Sequence, residues 1–276
     1  MSQVDQYAVF GHPINHSKSP RIHTLFAQQT QQELIYTAQE VPAESFTSAI
    51  THFFKQGGKG LNCTVPLKEL AWQRADSLSK RAQFSKAVNT LVLQADGSLL
   101  GENTDGIGLV TDLTVNHNIS LHNKRILILG AGGASRGIIA PIMDKSPTHI
   151  VIANRTVKKA ITLSNEFSQL GNITGCSYDE VKDSEFDLIL NATSASLTGD
   201  LPPLSDNLLA NKGHCYDLAY SNDPTAFVKW GLAHNAEKSL DGLGMLVEQA
   251  AEAFNIWRGV RPETKEIIAL LNSERN

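Results

Sequence analysis

One stretch narrows the possible folds of this chain more than any other. An apolar run, Arg125-Ile126-Leu127-Ile128-Leu129, is followed at once by Gly130-Ala131-Gly132-Gly133-Ala134-Ser135. A buried strand that ends in glycines and reopens as a helix is the phosphate-binding turn of dinucleotide folds, where a helix N-terminus faces an anion. Gly130 permits the sharp turn, and Gly132 lets the backbone approach a pyrophosphate. Ser135 stands in the sixth place, so the strict G-x-G-x-x-G pattern is not met. Roughly 20 residues on, the next apolar run, Ile150-Val151-Ile152-Ala153, ends in Asn154-Arg155-Thr156. Chains that bind NAD place a carboxylate there, accepting from the ribose 2′-hydroxyl. An amide followed by a guanidinium and a hydroxyl suits a 2′-phosphate instead, because an arginine fork clamps it bidentately. The cofactor expected is NADP(H), with Arg155, Thr156 and Lys159 at the 2′-phosphate. The other reading of these three is a solvated helix start capped by Thr156.

Around this turn strands and helices alternate, which implies a parallel sheet with right-handed crossovers. Strands are expected at 6–11, 34–41, 61–65, 90–93, 99–100, 186–191 and 214–218, with Asp96-Gly97 closing a hairpin. Helices are expected over 21–31 and 43–55, from Pro66 through Lys80, from Asn103 toward Leu113, and over 243–257 and 263–271. The fold class expected is α/β, with two α/β domains. Residues 1–104 and 241–276 would form one, and residues 105–240 a Rossmann-type dinucleotide domain.

Composition removes several other classes. The chain has 276 residues, 41% apolar and 19% charged, enough for a core that needs no disulfide or metal staple. Its net charge is −4 and its lysines and arginines are dispersed, so no nucleic-acid surface is expected. No apolar run approaches the ~20 residues of a membrane span, and the N-terminus shows no secretory pattern. Cys63, Cys176 and Cys215 are odd in number and far apart, which fits a reducing, cytoplasmic setting. The histidines show no metal-ligand spacing, so no metal is expected.

Candidate chemistry lies outside the glycine-rich turn. In Asn62-Cys63-Thr64-Val65-Pro66-Leu67-Lys68, proline suits a first helical position and sets Lys68 in the first turn. The helix dipole disfavours a cation there by roughly 0.3–1 kcal/mol, which suits proton transfer. An exposed helix lysine is the other reading. Asp105, in Asn103-Thr104-Asp105-Gly106, reads equally as part of a helix cap. Spacing alone does not bring Lys68 and Asp105 together. The loop His12 to Pro20 is dense in hydroxyls and amides, as a site for a polyhydroxylated anion or a polar surface turn would be.

Taken together and in order, eight blocks resemble shikimate dehydrogenase: Gly11 to Pro20, Asn62 to Lys68, Ala87-Val88-Asn89-Thr90, Asn103 to Gly106, Gly130 to Arg136, Asn154 to Thr156, Asn191-Ala192-Thr193-Ser194 and Asp241-Gly242-Leu243-Gly244-Met245. The match in order and spacing extends from about residue 7 to 258. The resemblance implies reversible NADPH-dependent reduction of 3-dehydroshikimate to shikimate, in aromatic amino-acid and chorismate biosynthesis. It implies that Lys68 and Asp105 are the catalytic pair, across a cleft between a substrate domain and the NADP domain. Ser17, Ser19, Thr64, Asn89 and Gln249 would hold the substrate, with Asn62 and Tyr220 nearby. Cofactor contacts would come from Gly130, Ala131, Gly132, Gly133, Ala134, Ser135, Asn154, Arg155, Thr156, Lys159, Thr193, Leu218 and Gly242. A carboxylate beside Lys68 favours its ammonium form more than a helix N-terminus disfavours it. The only partner implied is the small-molecule substrate, with the chain a monomer or homodimer.

The chain also departs from the family pattern. Cys63 stands where Val is common, Ser196 where Gly is frequent, and Ala219 where a larger apolar residue is usual. Lys159 replaces the Arg of some members and loses a bidentate grip, which points to a milder NADP preference. Competing readings are a quinate/shikimate dehydrogenase that uses NAD, a non-catalytic NADP-binding regulator, and another two-domain NADP enzyme such as a methylene-tetrahydrofolate dehydrogenase. Ser17 and Ser19 with Arg155-Thr156 favour the shikimate- and NADP-specific form, and Lys68 with Asp105 weighs against a regulator. The Ser17/Ser19 loop and Asn89 suit a pterin poorly.

Overall fold

The computed structural model describes residues 4–193 and 195–275. Two compact units emerge: residues up to Gly108 with Val247–Leu270, and Leu109–Leu246 with the residues from Leu271 on.

The first unit is built on a six-stranded sheet. Its elements are β1 (Asp5–Gly11), α1 (Ser19–Gln29), β2 (Leu34–Glu40), α2 (Phe46–Lys55), β3 (Gly58–Cys63), α3 (Lys68–Arg74), β4 (Ser77–Leu78), α4 (Lys80–Ser85), β5 (Thr90–Leu93) and β6 (Leu99–Glu102). The strand order is β2-β1-β3-β5-β6-β4. β1 pairs in parallel with β2 and β3, whereas β5 runs antiparallel to both β3 and β6. Strand β1 is buried from Tyr7 to Gly11, the continuous apolar pattern of a strand covered on both faces. Ala8, Phe10, Leu61 and Cys63 pack with Phe46, Ile50 and Phe53 of α2. Tyr7, Val9 and Tyr36 form a second cluster, against which Trp257 packs.

Helix α5 (Asp105–Thr111) passes into the second unit and is prolonged by a π-helical turn, Asp112–Asn116. There follow β7 (Arg125–Leu129), α6 (Gly133–Met143), β8 (His149–Ala153), α7 (Val157–Phe167), β9 (Ile173–Cys176), β10 (Phe186–Asn191), β11 (Leu209–Asp217), α8 (Ala226–Ala233) and β12 (Lys238–Leu240). The order β12-β11-β10-β7-β8-β9, with every neighbour parallel, is that of a doubly wound dinucleotide domain. Its strand order reverses between β7 and β10, and ligands bind such sheets beyond the carboxyl ends of the strands at that reversal. Helix α9 (Leu243–Arg258) begins in the second unit and ends in the first, and α10 (Lys265–Ser273) follows.

The C-terminal turn of α9 completes the first unit. The Trp257 ring lies 4.9 Å from Tyr7 and 5.6 Å from His23, and its Nε1 donates to Leu91 O at 3.1 Å. Arg258 pairs with Asp5 and donates to Gln32 Oε1 at 2.6 Å from Nη2.

The structure corrects three expectations. The helix expected from Pro66 through Lys80 is two helices with a short strand between them. Asp76 breaks it: its N–H donates to Leu99 O at 2.8 Å, and its carboxylate accepts Leu99 N at 2.8 Å. That double clasp draws the next residues alongside β6 as β4. The strand expected at 61–65 begins at Gly58 and ends at Cys63, leaving Val65 69% exposed. Finally, β9 and β12 were not foreseen, and β11 begins at Leu209 rather than His214.

Candidate functional site

In the first unit Lys68 Nζ donates to Asp105 Oδ2 at 2.5 Å, with side-chain exposures of 27% and 11%. Each residue opens a helix. Lys68 starts α3, its carbonyl accepting Val88 N at 2.9 Å, and Asp105 starts α5, its N–H donating to Asn103 Oδ1 at 3.1 Å. The helix dipole favours the carboxylate and opposes the ammonium, so the pair holds the lysine where its own helix would not. Asn89 secures the other side of Asp105: its Nδ2 donates to Asp105 Oδ1 at 2.8 Å and to Thr104 Oγ1 at 2.9 Å. Asn89 Oδ1 accepts Thr104 N at 2.9 Å and Thr90 Oγ1 at 2.9 Å. Gln249 Oε1 reaches the same group, 3.3 Å from Asn89 Nδ2 and 3.4 Å from Thr104 Oγ1.

Asn62 adjoins this network. Its Nδ2 donates to Asn89 O and Thr90 Oγ1, each at 3.0 Å, and its Oδ1 accepts Tyr36 OH at 2.6 Å. Ser17 Oγ accepts Ser19 N at 3.3 Å ahead of α1, and Ser19 is buried. Thr64 is half-buried just beyond β3. The hydrogen bonds therefore join Lys68, Asp105, Asn89, Asn62 and Gln249 directly. Sequence reasoning passed over Tyr36, Thr90 and Thr104. The last two flank residues that it had singled out, and Tyr36 carried no signal beyond its place in a strand.

In the second unit a pocket lies beyond the carboxyl ends of the strands. The turn Gly130 to Ala134 lines it, with Asn154, Arg155, Thr156, Lys159 and Thr193. Gly130 has φ +100°, a left-handed conformation that glycine accepts. A side chain on Gly132 or Gly133 would project into open space with nothing within 4 Å, which is the room a pyrophosphate takes. No side chain caps α6, so its first N–H groups are free to meet an anion. Among the described residues Arg155 has no ion pair, and it is exposed at the pocket, as is Lys159. Thr156 is the N-cap of α7 by position, yet its side chain makes no capping hydrogen bond. These features fit a nucleotide carrying a 2′-phosphate.

Ser135 is fully buried, and its hydroxyl donates to Gly130 O at 2.7 Å. It braces the turn from beneath, and its side chain does not line the pocket. Leu218 N donates to Asn191 O at 2.9 Å, and a side chain on Gly242 would strike Leu218 O. Tyr220 belongs to the same unit, beside Asp241 and Arg275, and burial pushes its phenol up. Ser196, where the family often has Gly, accepts Asn191 Nδ2 at 2.9 Å and donates to the buried Asp217 at 2.5 Å. Burial pushes the Asp217 carboxyl up against four hydrogen bonds that lower it. Ser194 lies outside the described residues. Tyr178, Thr198, Asp200 and Pro202 also line the pocket and were not foreseen, since irregular segments leave no periodic signal.

Comparison with known proteins gives a consistent result. Residues 9–91 match the model described as shikimate dehydrogenase substrate binding domain, 113–198 that of shikimate / quinate 5-dehydrogenase, and 242–271 that of the shikimate 5′-dehydrogenase C-terminal domain. A protein of Methylococcus capsulatus named shikimate dehydrogenase (NADP(+)) is 59% identical over 275 residues, covering 100% of this chain and 99% of its own. The crystal structure of an Ael1 enzyme from Pseudomonas putida superimposes with a TM-score of 0.91 at 46% identity, covering 97% of this chain and 98% of its own. Shikimate 5-dehydrogenase from Thermus thermophilus, in complex with NADP(H) and shikimate, superimposes with a TM-score of 0.86 at 31% identity, covering 99% and 100%.

Proposed function

The chain belongs to the shikimate dehydrogenase family, and from that premise we propose that Lys68 and Asp105 carry the proton in the reversible NADPH-dependent reduction of 3-dehydroshikimate to shikimate. It is an oxidoreductase acting on a CH–OH group, with NADP(H) as cofactor. We assign substrate binding to the first unit and cofactor binding to the second. The glycine-rich turn and α6 would hold the pyrophosphate, and Arg155, Thr156 and Lys159 the 2′-phosphate.

When bound, NADPH supplies a hydride to the ketone carbon. Negative charge then grows on the ketone oxygen, and an ammonium beside it both stabilises that charge and donates a proton. Lys68 serves this role. Asp105 holds the ammonium in place, while Asn89 on the opposite oxygen fixes the carboxylate. In the oxidation direction a neutral Lys68 takes the hydroxyl proton. Ser17, Ser19 and Thr64 offer hydroxyls to the substrate carboxylate, and Asn62, Asn89 and Gln249 offer amides to its hydroxyls. The observation that carries this reading is the 2.5 Å contact between Lys68 and Asp105, buttressed by Asn89. We place the enzyme in the cytoplasm, as a monomer or homodimer acting on a small-molecule substrate. Its three unpaired cysteines are in keeping with that setting.

The test is absorbance at the NADPH band, crossing shikimate and quinate against NADP and NAD. Lys68→Ala should lower turnover by roughly 10²–10⁴-fold while shikimate still binds by calorimetry. Turnover that survives the substitution removes Lys68 from the proton path, and equal rates with quinate or NAD assign the broader specificity.

A further inference from the structure

Tyr36 stands on β2, the edge strand of the first unit's sheet, yet it is 7% exposed. Its ring lies flat on His23 of α1, with centroids 4.0 Å apart and planes 5° from parallel. The phenol donates to Asn62 Oδ1 on β3 at 2.6 Å.

Counting donors and acceptors fixes the direction of each bond. Asn89 O is only an acceptor, so Asn62 must turn its Nδ2 that way, and both amide protons are taken by Asn89 O and Thr90 Oγ1. Asn62 Oδ1 therefore faces Tyr36, and the phenol must donate. Burial pushes the phenol well above its ordinary range, so it keeps the proton this arrangement needs.

We infer that Tyr36 is a positioning residue for substrate binding, its hydroxyl setting Asn62 in the orientation in which it meets the substrate. This rests on reading Asn62 as a substrate residue. In this arrangement Asn62 presents only a lone pair, so it receives a hydroxyl proton and does not donate to the carboxylate.

The test is Tyr36→Phe, which keeps the ring and its stacking and removes one oxygen. The KM for shikimate should rise about 3–10-fold, the effect of one hydrogen bond, and calorimetry should show the same loss of shikimate affinity. The kcat should stay within about twofold, with the KM for NADP unchanged. In an Asn62→Ala background the effect should shrink, because the group that Tyr36 positions is already gone. An unchanged shikimate constant overturns the inference, as does an equal loss for shikimate and NADP with a lowered Tm. A wild-type chain that neither turns over nor binds shikimate instead overturns the functional reading beneath it. If Tyr36→Phe does not fold, NMR of the unsubstituted chain decides, with tyrosine 13Cζ signals assigned through Phe variants at the other tyrosines. Shikimate should shift the Tyr36 signal and NADP alone should not. A Tyr36 signal unmoved at saturating shikimate overturns the inference.

Discussion

The carboxylate of Asp112 occupies the space that a side chain on Gly244 would need. Its Cγ and both oxygens fall inside contact distance of the Cβ position. Asp112 is fully buried, and it accepts Tyr216 OH at 2.7 Å and Asn116 Nδ2 at 2.8 Å. The Tyr216 hydroxyl in turn accepts Met245 N at 3.2 Å, tying the first turn of α9 to β11. A carboxylate on the π-helical turn thus explains a glycine in the block Asp241 to Met245.

Gly244→Ala should destabilise the protein by about 1–3 kcal/mol through overpacking against Asp112. Asp112→Ala should cost a similar amount by leaving a buried hydroxyl with one partner fewer. The double variant should be more stable than the sum of the two predicts, because the alanine at 244 then has room. Urea denaturation of the four proteins measures this, and strict additivity would show that the two sites do not compete for space.

Arg155→Ala should weaken NADP about 10–100-fold, the scale of losing a charge-assisted bidentate contact. Weak NAD use should change less than about threefold. Parallel titrations of both nucleotides decide it, and equal weakening would refute a 2′-phosphate role for Arg155.

His23 supplies a pH test. Burial pushes it down from an ordinary 6.5 to about 3, and among the described residues its Nε2 has no hydrogen-bond partner. Below pH 6.5 the unfolded chain binds a proton that the native state refuses until about pH 3. Unfolding then takes up a proton, so stability rises with pH through that window and is fully present above it. Between pH 7.5 and 5.0 the wild type should lose about 2 kcal/mol on this account. His23→Phe should lack that loss. Denaturation of both proteins at the two pH values checks it, and parallel pH dependence would mean that His23 is protonated in the native state.

Asp76→Ala should free β4 from β6, lowering stability by about 1–2 kcal/mol and speeding amide exchange at Leu99. Unchanged exchange there would mean that the side-chain clasp is dispensable. This residue also shows where sequence reading ends. The pattern from Pro66 to Lys80 is helical in composition, and only the distant Leu99 turns its middle into a strand. The strands β7, β8 and β10 are legible because they are buried, continuous apolar runs. β9 and β12 are short sheet edges, Ile-Thr-Gly-Cys and Lys-Ser-Leu, with little apolar signal of their own. The glycine-rich turn announced its pocket because local geometry demands glycine there. The Lys68–Asp105 contact had no local signature. The β5–β6 hairpin produces it by pairing Thr90 with Glu102, which sets Asn89 beside residues 103–105.

The first unit is closed by the end of α9, where Trp257 and Arg258 seal Tyr7, His23 and Asp5. On the ribosome this imposes a delay. After Gly108 has been made, about 150 more residues must follow before that seal exists, or roughly 8–30 s at ordinary rates of synthesis. For that interval the N-terminal sheet waits with an aromatic face uncovered, while the parallel sheet of the second unit emerges whole in the meantime. The sheet made first therefore has to wait longest between its own synthesis and the closing of its core.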